Sequence, residues 1–269
     1  GPAADRLRGG RRDRLARKSL SIREPFVTID GASAPSPGIT LIRGGISVAA
    51  HDVVIRHIRV RAGADGAPPG SGWEVDGLST SAAHDVIVDH CSFAWATDEN
   101  LSASGPRFAG GDTVEAWRQH TSRRVSFTQN IVAEGLSHSS HAKGEHSKGS
   151  LIHDNATGIL IYRNLYAHNR ARNPRPGNYD SNSHDKDPEG LLLDFRNNVI
   201  YNWGNNNIYG GEGGQYNLVN NYYKYGPNTS SGVRYRIVGV DSSVDFGYAK
   251  YFLSGNYVDG STTNTTNIP

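Results

Sequence analysis

Short apolar runs recur along the chain, and each is followed by a polar residue, usually Asn, and then by another apolar residue. The clearest two copies are residues 51–58 (HDVVIRHI) and 84–91 (HDVIVDHC), which begin 33 residues apart. Weaker copies occupy residues 124–131, 158–165, 192–199, 216–222 and 251–257. Alternation of β-branched and aromatic residues with polar ones predicts β-strands, so we expect an all-β chain of short strands at a repeating interval.

The spacing of the copies indicates how these strands are arranged. The polar positions taken as equivalent are His57, His90, Asn130, Asn164, Asn198, Asn221 and Asn256. Successive steps are 33, 40, 34, 34, 23 and 35 residues. The shortest step suits one bare coil of a parallel β-helix, and the longer steps suit coils with loops inserted on one side. A β-propeller or a sandwich would need hairpin turn dipeptides, which are sparse here.

The repeated Asn has a structural interpretation. Asn tolerates the left-handed backbone conformation and its side chain can bond to the backbone, so one Asn per coil can serve a sharp turn between strands. Stacked coils would align these side chains in a ladder. We therefore assign the Asn set to the scaffold rather than to chemistry.

The two ends differ in composition from the repeats. We expect a basic N-terminal tail or cap at residues 1–18, the β-helix domain at 19–260 and a polar C-terminal tail at 261–269. The net charge is only +2 and the basic excess lies near the N-terminus, so we expect no nucleic-acid partner. No apolar run approaches the roughly 20 residues of a membrane span, so we expect no membrane partner. The chain begins Gly1-Pro2 and contains no Met, which leads us to expect a fragment of a longer protein.

One polar segment carries clustered carboxylates. Residues 88–100 (VDHCSFAWATDEN) leave a predicted strand and enter a turn with Asp89, Asp98 and Glu99. Clustered carboxylates need a countercharge, and a hard cation that prefers oxygen ligands, such as Ca²⁺, would supply it. A capped turn with solvent-exposed acids is the alternative.

A second polar segment, residues 134–149 (EGLSHSSHAKGEHSKG), is rich in His and Lys. Zinc binding is conceivable there, but the His spacing matches no recognised zinc motif. We favour a polar cleft wall in which Lys143 or Lys148 reaches an anionic substrate.

A third polar segment, residues 168–177 (HNRARNPRPG), places three Arg beside two Pro and directly follows a predicted strand. Guanidinium groups suit carboxylate recognition, and Lys does not replace them easily. The segment therefore predicts a rigid, positively charged loop.

In order and spacing, these segments resemble the pectate lyases of polysaccharide lyase family 1. The resemblance rests on residues 89–93 with 97–100, on 146–149 and on 169–175, and it covers about residues 19–260. It implies a right-handed, single-stranded parallel β-helix with Ca²⁺ in a cleft on one face. It also implies a secreted or periplasmic enzyme, which we expect to be a monomer.

The resemblance implies a role for each candidate site residue. Asp89 and Asp98 match calcium-ligating acids. Lys148 matches the lysine that contacts the substrate carboxylate, and Arg172 matches the arginine proposed as the base. The residues expected to bind substrate are Lys143, His146, Arg170 and Arg175.

Two positions depart from the family pattern. Ser102 stands where the family has the second acid of a pair, and we expect Glu99 to compensate as a calcium ligand. Gly177 stands where the family has a further arginine, and Arg175 is the nearest substitute.

The expected reaction is β-elimination on α-1,4-polygalacturonate. The proton on C5, next to the uronate carboxylate, is removed and the C4 oxygen is expelled, while calcium and Lys148 stabilise the developing charge. An arginine base needs a crowd of positive charge to lower its pKa, so we expect an alkaline optimum. Two alternatives remain: a galacturonan hydrolase, which needs a flanking acid and base, and a non-catalytic glycan-binding β-helix, which does not need Arg172.

Overall fold

The computed structural model describes residues 12–105, 113–177, 192–243 and 247–261. Sheet I is made of the eight parallel strands β3 (Val27–Asp30), β6 (His51–Arg56), β9 (His84–Asp89), β12 (Arg123–Thr128), β15 (Thr157–Tyr162), β18 (Leu192–Arg196), β21 (Gln215–Val219) and β26 (Lys250–Ser254). Sheet II is made of the nine parallel strands β1 (Arg12–Arg14), β4 (Ile39–Ile42), β7 (Ile58–Arg61), β10 (Ser92–Ala94), β13 (Ile131–Ala133), β16 (Leu165–Ala167), β19 (Val199–Tyr201), β22 (Tyr222–Lys224) and β27 (Tyr257–Val258).

Sheet III is made of the six parallel strands β2 (Leu20–Ile22), β5 (Ile46–Val48), β8 (Leu78–Ser81), β11 (Leu101–Ser104), β14 (Leu151–Ile152) and β17 (Arg175–Pro176). The parallel pair β20 (Ile208–Gly210) and β23 (Val238–Val240) follows β17 and is joined to it by backbone hydrogen bonds. The remaining elements are the antiparallel pair β24 (Ser242–Ser243) and β25 (Gly247–Tyr248), the helix α1 (Val114–His120) and a 3₁₀ turn at Ser231–Val233.

The chain visits sheets I, II and III in the same order on coil after coil, and each strand inside a sheet pairs with its equivalents on the coils before and after it. The prediction of a parallel β-helix is confirmed. Among the residues that the structure describes, no helix is long and apolar enough to cross a membrane.

Rows of aligned apolar side chains fill the core. In sheet I one buried row is Val53, Val86, Val125, Ile159, Leu193 and Tyr216. A second buried row is Ile55, Val88, Phe127, Ile161, Phe195 and Leu218. Alternate residues of a strand point to opposite faces, so the position between the two rows faces outward, as Ile87 does. Each buried aliphatic or Phe side chain contributes about 1.5–3 kcal/mol, which makes these rows the main source of cohesion between coils.

The corner between sheets I and II holds the Asn ladder, and we call it the ladder corner. Its members are Asn130, Asn164, Asn198, Asn221 and Asn256. Each Asn Oδ1 accepts the backbone N–H of the equivalent residue one coil earlier, as in the 2.8 Å bond from Asn130 N to Asn164 Oδ1. Each Nδ2 donates to a strand carbonyl, as Asn164 does to Phe127 O at 2.9 Å. The side chains therefore tie adjacent coils together.

The register at this corner differs from the expected one in its first two coils. Strand pairing places Ser92 opposite Ile131, so Cys91 aligns with Asn130, and the Cys91 N–H donates to Asn130 Oδ1. His57 and His90 belong to the position before the ladder. That preceding position, not the Asn, takes the left-handed conformation, with positive φ at His57, His90, Gln129, Arg163, Asn197, Asn220 and Gly255. Turning and bridging are thus divided between two consecutive residues.

The N-terminal boundary also differs from expectation. Arg12–Arg14 form β1 and pair with Thr40–Ile42 of β4, so these residues are a strand of the β-helix where a tail or cap was expected. Most of the two expected tails, residues 1–11 and 262–269, lies outside the described residues. Of the expected tails, the structure also describes residues 15–18 and Ser261.

Candidate active site

The corner between sheets II and III holds the acidic and basic residues that could bind a ligand or take part in a reaction, and we call it the site corner. Parallel bridges pair Glu99 with Lys148 and Lys148 with Ala171 on successive coils. The register of β8 with β11 places Asp76 opposite Glu99 on the coil before. One row along the helix axis therefore runs Asp76, Glu99, Lys148, Ala171, with acidic and basic residues only one strand spacing, about 4.8 Å, apart.

Three carboxylates meet at the start of this row. Asp76, Asp98 and Glu99 each place one oxygen within 4.8 Å of the others, and the Glu99 N–H donates to Asp76 Oδ1 at 3.0 Å. Asp98 and Glu99 were expected here, whereas Asp76 was missed. A signal for it exists, because Asp76-Gly77-Leu78 precedes β8 as Glu99-Asn100-Leu101 leads into β11.

The crowding of these carboxylates affects their pKa values. Burial, and then the charge of Asp98, raise the pKa of Asp76 to about 7. Burial raises the pKa of Glu99 well above its usual value, and Asp76 and Asp98 add to the effect. Burial opposes ionisation of Asp98 as well, but hydrogen bonds from His146 and Glu99 outweigh it and lower its pKa to about 2.

The donor set fits a hard divalent cation. Ca²⁺ takes oxygen ligands, carboxylates above all, and the three crowded carboxyl groups supply negative charge that such an ion would compensate. Asp76, Asp98 and Glu99 are the described residues that would hold it.

The basic side of the corner begins one coil further on. Burial, and then the charges of Arg172 and Arg170, lower the pKa of the half-buried Lys148 to about 8. Arg172 forms an ion pair with Glu99, and its Nε lies 3.4 Å from the Tyr209 hydroxyl. Arg170 pairs with Glu145 at 2.9 Å. Lys148, Arg170 and Arg172 therefore lie within each other's field and beside the acids.

A buried network of amides holds this corner in place. Asn100 Nδ2 donates to Asn169 Oδ1 at 3.0 Å, and Asn169 Nδ2 donates to Asn173 Oδ1 at 3.2 Å. Asn169 Oδ1 also accepts the Gly135 N–H at 3.1 Å. The turn that carries Asp98 and Glu99 is thereby joined to the turn that carries Arg170 and Arg172.

The structure does not bring Asp89 to the acid cluster. Asp89 ends β9 in sheet I, where its carboxylate contacts the Thr128 hydroxyl and lies 2.6 Å from His90 Nδ1. Strand β10 and the turn at Trp95 lie between Asp89 and Asp98. The two residues are therefore close in sequence but lie at opposite ends of a strand. At the other departure from the family pattern, Ser102 is buried in β11 and its hydroxyl accepts the Leu151 N–H.

Three of the four residues expected to bind substrate instead contact carboxylates of the protein itself. Arg175 is buried and pairs with the equally buried Glu212 at 2.7 Å. His146 is buried, and its Nε2 lies 2.7 Å from Asp98 Oδ1. Burial lowers the pKa of His146, although Asp98 opposes the shift. Arg170 is committed to Glu145. Lys143 is exposed in the loop between β13 and β14.

The fold and this corner define a class of protein, namely a parallel β-helix in which one corner carries long loops and brings carboxylates close to Lys and Arg side chains. Comparison with models of protein families finds none that matches the chain. The chain is similar, over 76% of its length, to proteins named probable pectate lyase C. They come from Aspergillus terreus (34% identical over 209 residues) and Emericella nidulans (34% over 207). The chain spans 40% and 39% of the length of these relatives.

Solved structures give a second comparison. A pectate lyase bound to a hexasaccharide matches with a TM-score of 0.52 over 90% of this chain and 59% of that one. The sequences are 12% identical, so this likeness supports the fold alone. The curated relatives confirm the resemblance to pectate lyases that the motifs indicate.

Proposed function

We propose that the protein is a pectate-lyase-type enzyme that cleaves α-1,4-polygalacturonate by β-elimination and releases unsaturated oligogalacturonides. The observation that carries the proposal is the row on adjacent coils that sets Lys148 and the turn of Arg172 beside Asp76 and Glu99. A polyanionic substrate needs cations in such a row, and the elimination needs a base and charge stabilisation at one sugar.

Calcium dependence is part of this proposal, with Asp76, Asp98 and Glu99 as the ligands. When bound, the ion would supply positive charge that attracts the uronate carboxylate and makes the C5 proton more acidic.

The chain's own residues perform the remaining tasks. The Lys148 ammonium binds the uronate carboxylate and stabilises the charge that develops on it when C5 loses its proton. Arg172 accepts that proton. The C5–H electron pair forms the C4–C5 double bond, the C4–O4 bond breaks, and O4 leaves with its electron pair and takes a proton from water.

An arginine base requires a lowered pKa, because free guanidinium loses its proton only above about pH 12. Lys148 and Arg170 carry charge of the same sign close to Arg172, and crowding of like charges favours loss of a proton. The ion pair with Glu99 opposes it and holds the guanidinium at the acid cluster before substrate binds.

The groups beside the acid cluster favour a lyase over a galacturonan hydrolase. A hydrolase needs an acid and a base carboxylate on either side of the scissile bond. Here the oxygens of Asp76, Asp98 and Glu99 lie within 4.8 Å of one another, as a shared cation needs, and the neighbouring groups on the row are Lys148 and the turn of Arg172. An extracellular or periplasmic location belongs to the same proposal, because a polymeric substrate does not cross a membrane.

The test combines polygalacturonate with the protein and calcium and follows ultraviolet absorbance of the unsaturated uronide. We expect Arg172→Ala to lower the rate about 10³-fold, within the range for loss of a general base, while binding to immobilised polygalacturonate is retained. The matched control is Arg196→Ala, which removes an arginine paired with Asp194 on sheet I.

Three results would contradict the proposal. Binding without cleavage by the wild type would identify a glycan-binding β-helix. New reducing ends without a rise in absorbance would identify a hydrolase. Full activity in Arg172→Ala would remove the assigned base.

A further inference from the structure

Two buried histidines converge on the same carboxylate at the edge of the acid cluster. His141 and His146 are 1% and 5% exposed, and their rings stack with centroids 3.7 Å apart and planes 11° apart. Both Nε2 atoms face Asp98 Oδ1, at 3.6 Å from His141 and 2.7 Å from His146. A single carboxylate oxygen thus has two imidazole nitrogens beside it.

We propose that Asp98, His141 and His146 form a binding site for a transition-metal ion such as Zn²⁺, next to the all-oxygen set of Asp76, Asp98 and Glu99. One ligand atom of each residue lies within 4.8 Å of the other two. Imidazole nitrogen is a ligand that zinc, copper and nickel prefer and calcium does not, so the two sets differ in the metals they select. Three protein ligands leave a further position for water.

A second carboxylate is placed to support one of the histidines. Glu74 Oε1 lies 3.4 Å from His141 Nδ1 and accepts the Ala142 N–H at 3.2 Å. In the structure the Lys143 N–H donates to His141 Nδ1 at 3.1 Å, so Nδ1 is an acceptor there. A metal on Nε2 would place the ring proton on Nδ1, which would then exchange the bond from Lys143 for one donated to Glu74. Such carboxylate–histidine pairs orient metal-binding histidines in many sites.

The loop that carries both histidines is held against a neighbouring loop. Backbone N–H groups of Gly70 and Gly72 donate to Ser139 O at 2.9 Å and Ser140 O at 2.7 Å. The Ser140 hydroxyl donates to Trp73 O at 2.6 Å. Because these bonds fix the loop beside Asp98, little ordering is left for metal binding to impose.

Asp98 is common to the two sets, which couples them. Two divalent ions that share one carboxylate repel each other and divide its charge, so each ion lowers the affinity of the other by the same factor. This coupling rests on the proposed calcium set, whereas the zinc site itself does not.

The experiment uses metal-stripped protein and a chromophoric zinc chelator as competitor, with Co²⁺ as a spectroscopic probe. We expect the wild type to withdraw one Zn²⁺ from the chelator and to give Co²⁺ visible bands of histidine-containing coordination. His141→Ala and His146→Ala should each weaken Zn²⁺ binding by more than about 10-fold and abolish those bands, since even supporting residues are worth about 10–100-fold in affinity. Glu74→Gln should weaken binding to a smaller extent.

Matched controls separate ligand loss from misfolding. His138→Ala removes an exposed histidine of the same loop and should bind Zn²⁺ like the wild type. Glu99→Gln should keep Zn²⁺ affinity and lose Ca²⁺ affinity. Thermal unfolding by circular dichroism checks that each variant is folded, and Glu74→Gln tests the site even where a ligand variant does not fold.

The outcomes are distinct. The inference is overturned if the wild type takes no Zn²⁺ from the chelator, or if affinity is the same in wild type, His141→Ala, His146→Ala and Glu74→Gln. If Zn²⁺ binding depends on the histidines but is indifferent to saturating Ca²⁺, the zinc site stands and the coupling fails.

Discussion

The two ends of each sheet II strand meet different corners. At the ladder corner the turn between β12 and β13 consists of residues 129 and 130 alone, and the same amide recurs on five coils. At the site corner the connections have different lengths, from residues 43–45 between β4 and β5 to residues 134–150 between β13 and β14. The ladder corner repeats one residue type in a short turn, whereas the site corner has a connection of different length and sequence on every coil.

The difference follows from what each corner must satisfy. A ladder of identical amides satisfies its own donors and acceptors, so every coil benefits from the same residue. In the site row each coil contributes a different group: Asp76, Glu99, Lys148 and then the turn of Arg172. Stacking provides register in both corners, but only the site corner uses it to bring unlike charges together.

After the loss expected for Arg172→Ala, the largest expected effect is again on catalysis, from Lys148→Met. Loss of the ammonium removes a charge-assisted contact to the substrate carboxylate, and we expect kcat/KM to fall about 100-fold, equivalent to about 2.7 kcal/mol. The melting temperature should stay within a few degrees of the wild type, because a half-buried charge beside two arginines is itself unfavourable. Lys224→Met, which removes a lysine paired with Asp259, is the control. A variant with unchanged kcat/KM but reduced stability would assign Lys148 to the scaffold.

An intermediate effect, on stability alone, is expected from Asn164→Ala. The substitution removes donors to Phe127 O and Asn198 Oδ1 and the acceptor of the Asn130 N–H, all buried. We expect the free energy of unfolding to fall by about 2–3 kcal/mol, measured by chemical denaturation, with kcat/KM unchanged below the transition. Asn217→Ala, at an exposed strand position, should change it by less than about 0.5 kcal/mol. A large fall in kcat/KM would show that the two corners are not independent.

The smallest effect is expected at a third row, where Asp52, Asp85 and Arg124 take the left-handed conformation at the start of sheet I strands. Hydrogen bonds from Arg124, and then from His84, lower the pKa of Asp85. Because the pair is exposed, we expect Arg124→Ala to cost less than about 1 kcal/mol at neutral pH.

The pH dependence of that effect has a definite sign. The folded pKa of Asp85 lies below its unfolded value, so the pair stabilises the protein above the unfolded pKa, and the stabilisation is lost as pH falls toward the folded pKa. The difference between wild type and Arg124→Ala in urea denaturation should therefore shrink below about pH 4 and in high salt. A difference that persists at pH 2 would contradict the electrostatic origin.

The sequence was sufficient for the coils and for most of the ladder. Alternating apolar positions and a recurring Asn follow from local requirements, namely a two-sided strand and a self-satisfied amide. The error at His57 and His90 was a shift of one residue, because these residues occupy the left-handed position rather than the bridging one.

The site was less predictable because its partners are distant in sequence. Asp98, Glu99, Lys148 and Arg172 were expected to act together, and the structure places them in one corner. Asp89 was misplaced because nine residues suffice to turn the corner and cross a strand. The buried Arg175 is paired with Glu212, which lies 37 residues further along the chain, so the local sequence does not predict this ion pair.

The left-handed position before the ladder has a consequence for protein engineering. Residues of five types occupy it, and for a residue such as Arg163 that conformation costs roughly 1–2 kcal/mol relative to a right-handed one. The left-handed conformation costs less free energy for Asn and Gly, and the position is already occupied by Asn197, Asn220 and Gly255 on three coils. The remaining positions are thus candidates for substitutions that raise thermal stability, and they lie at the ladder corner rather than at the site corner.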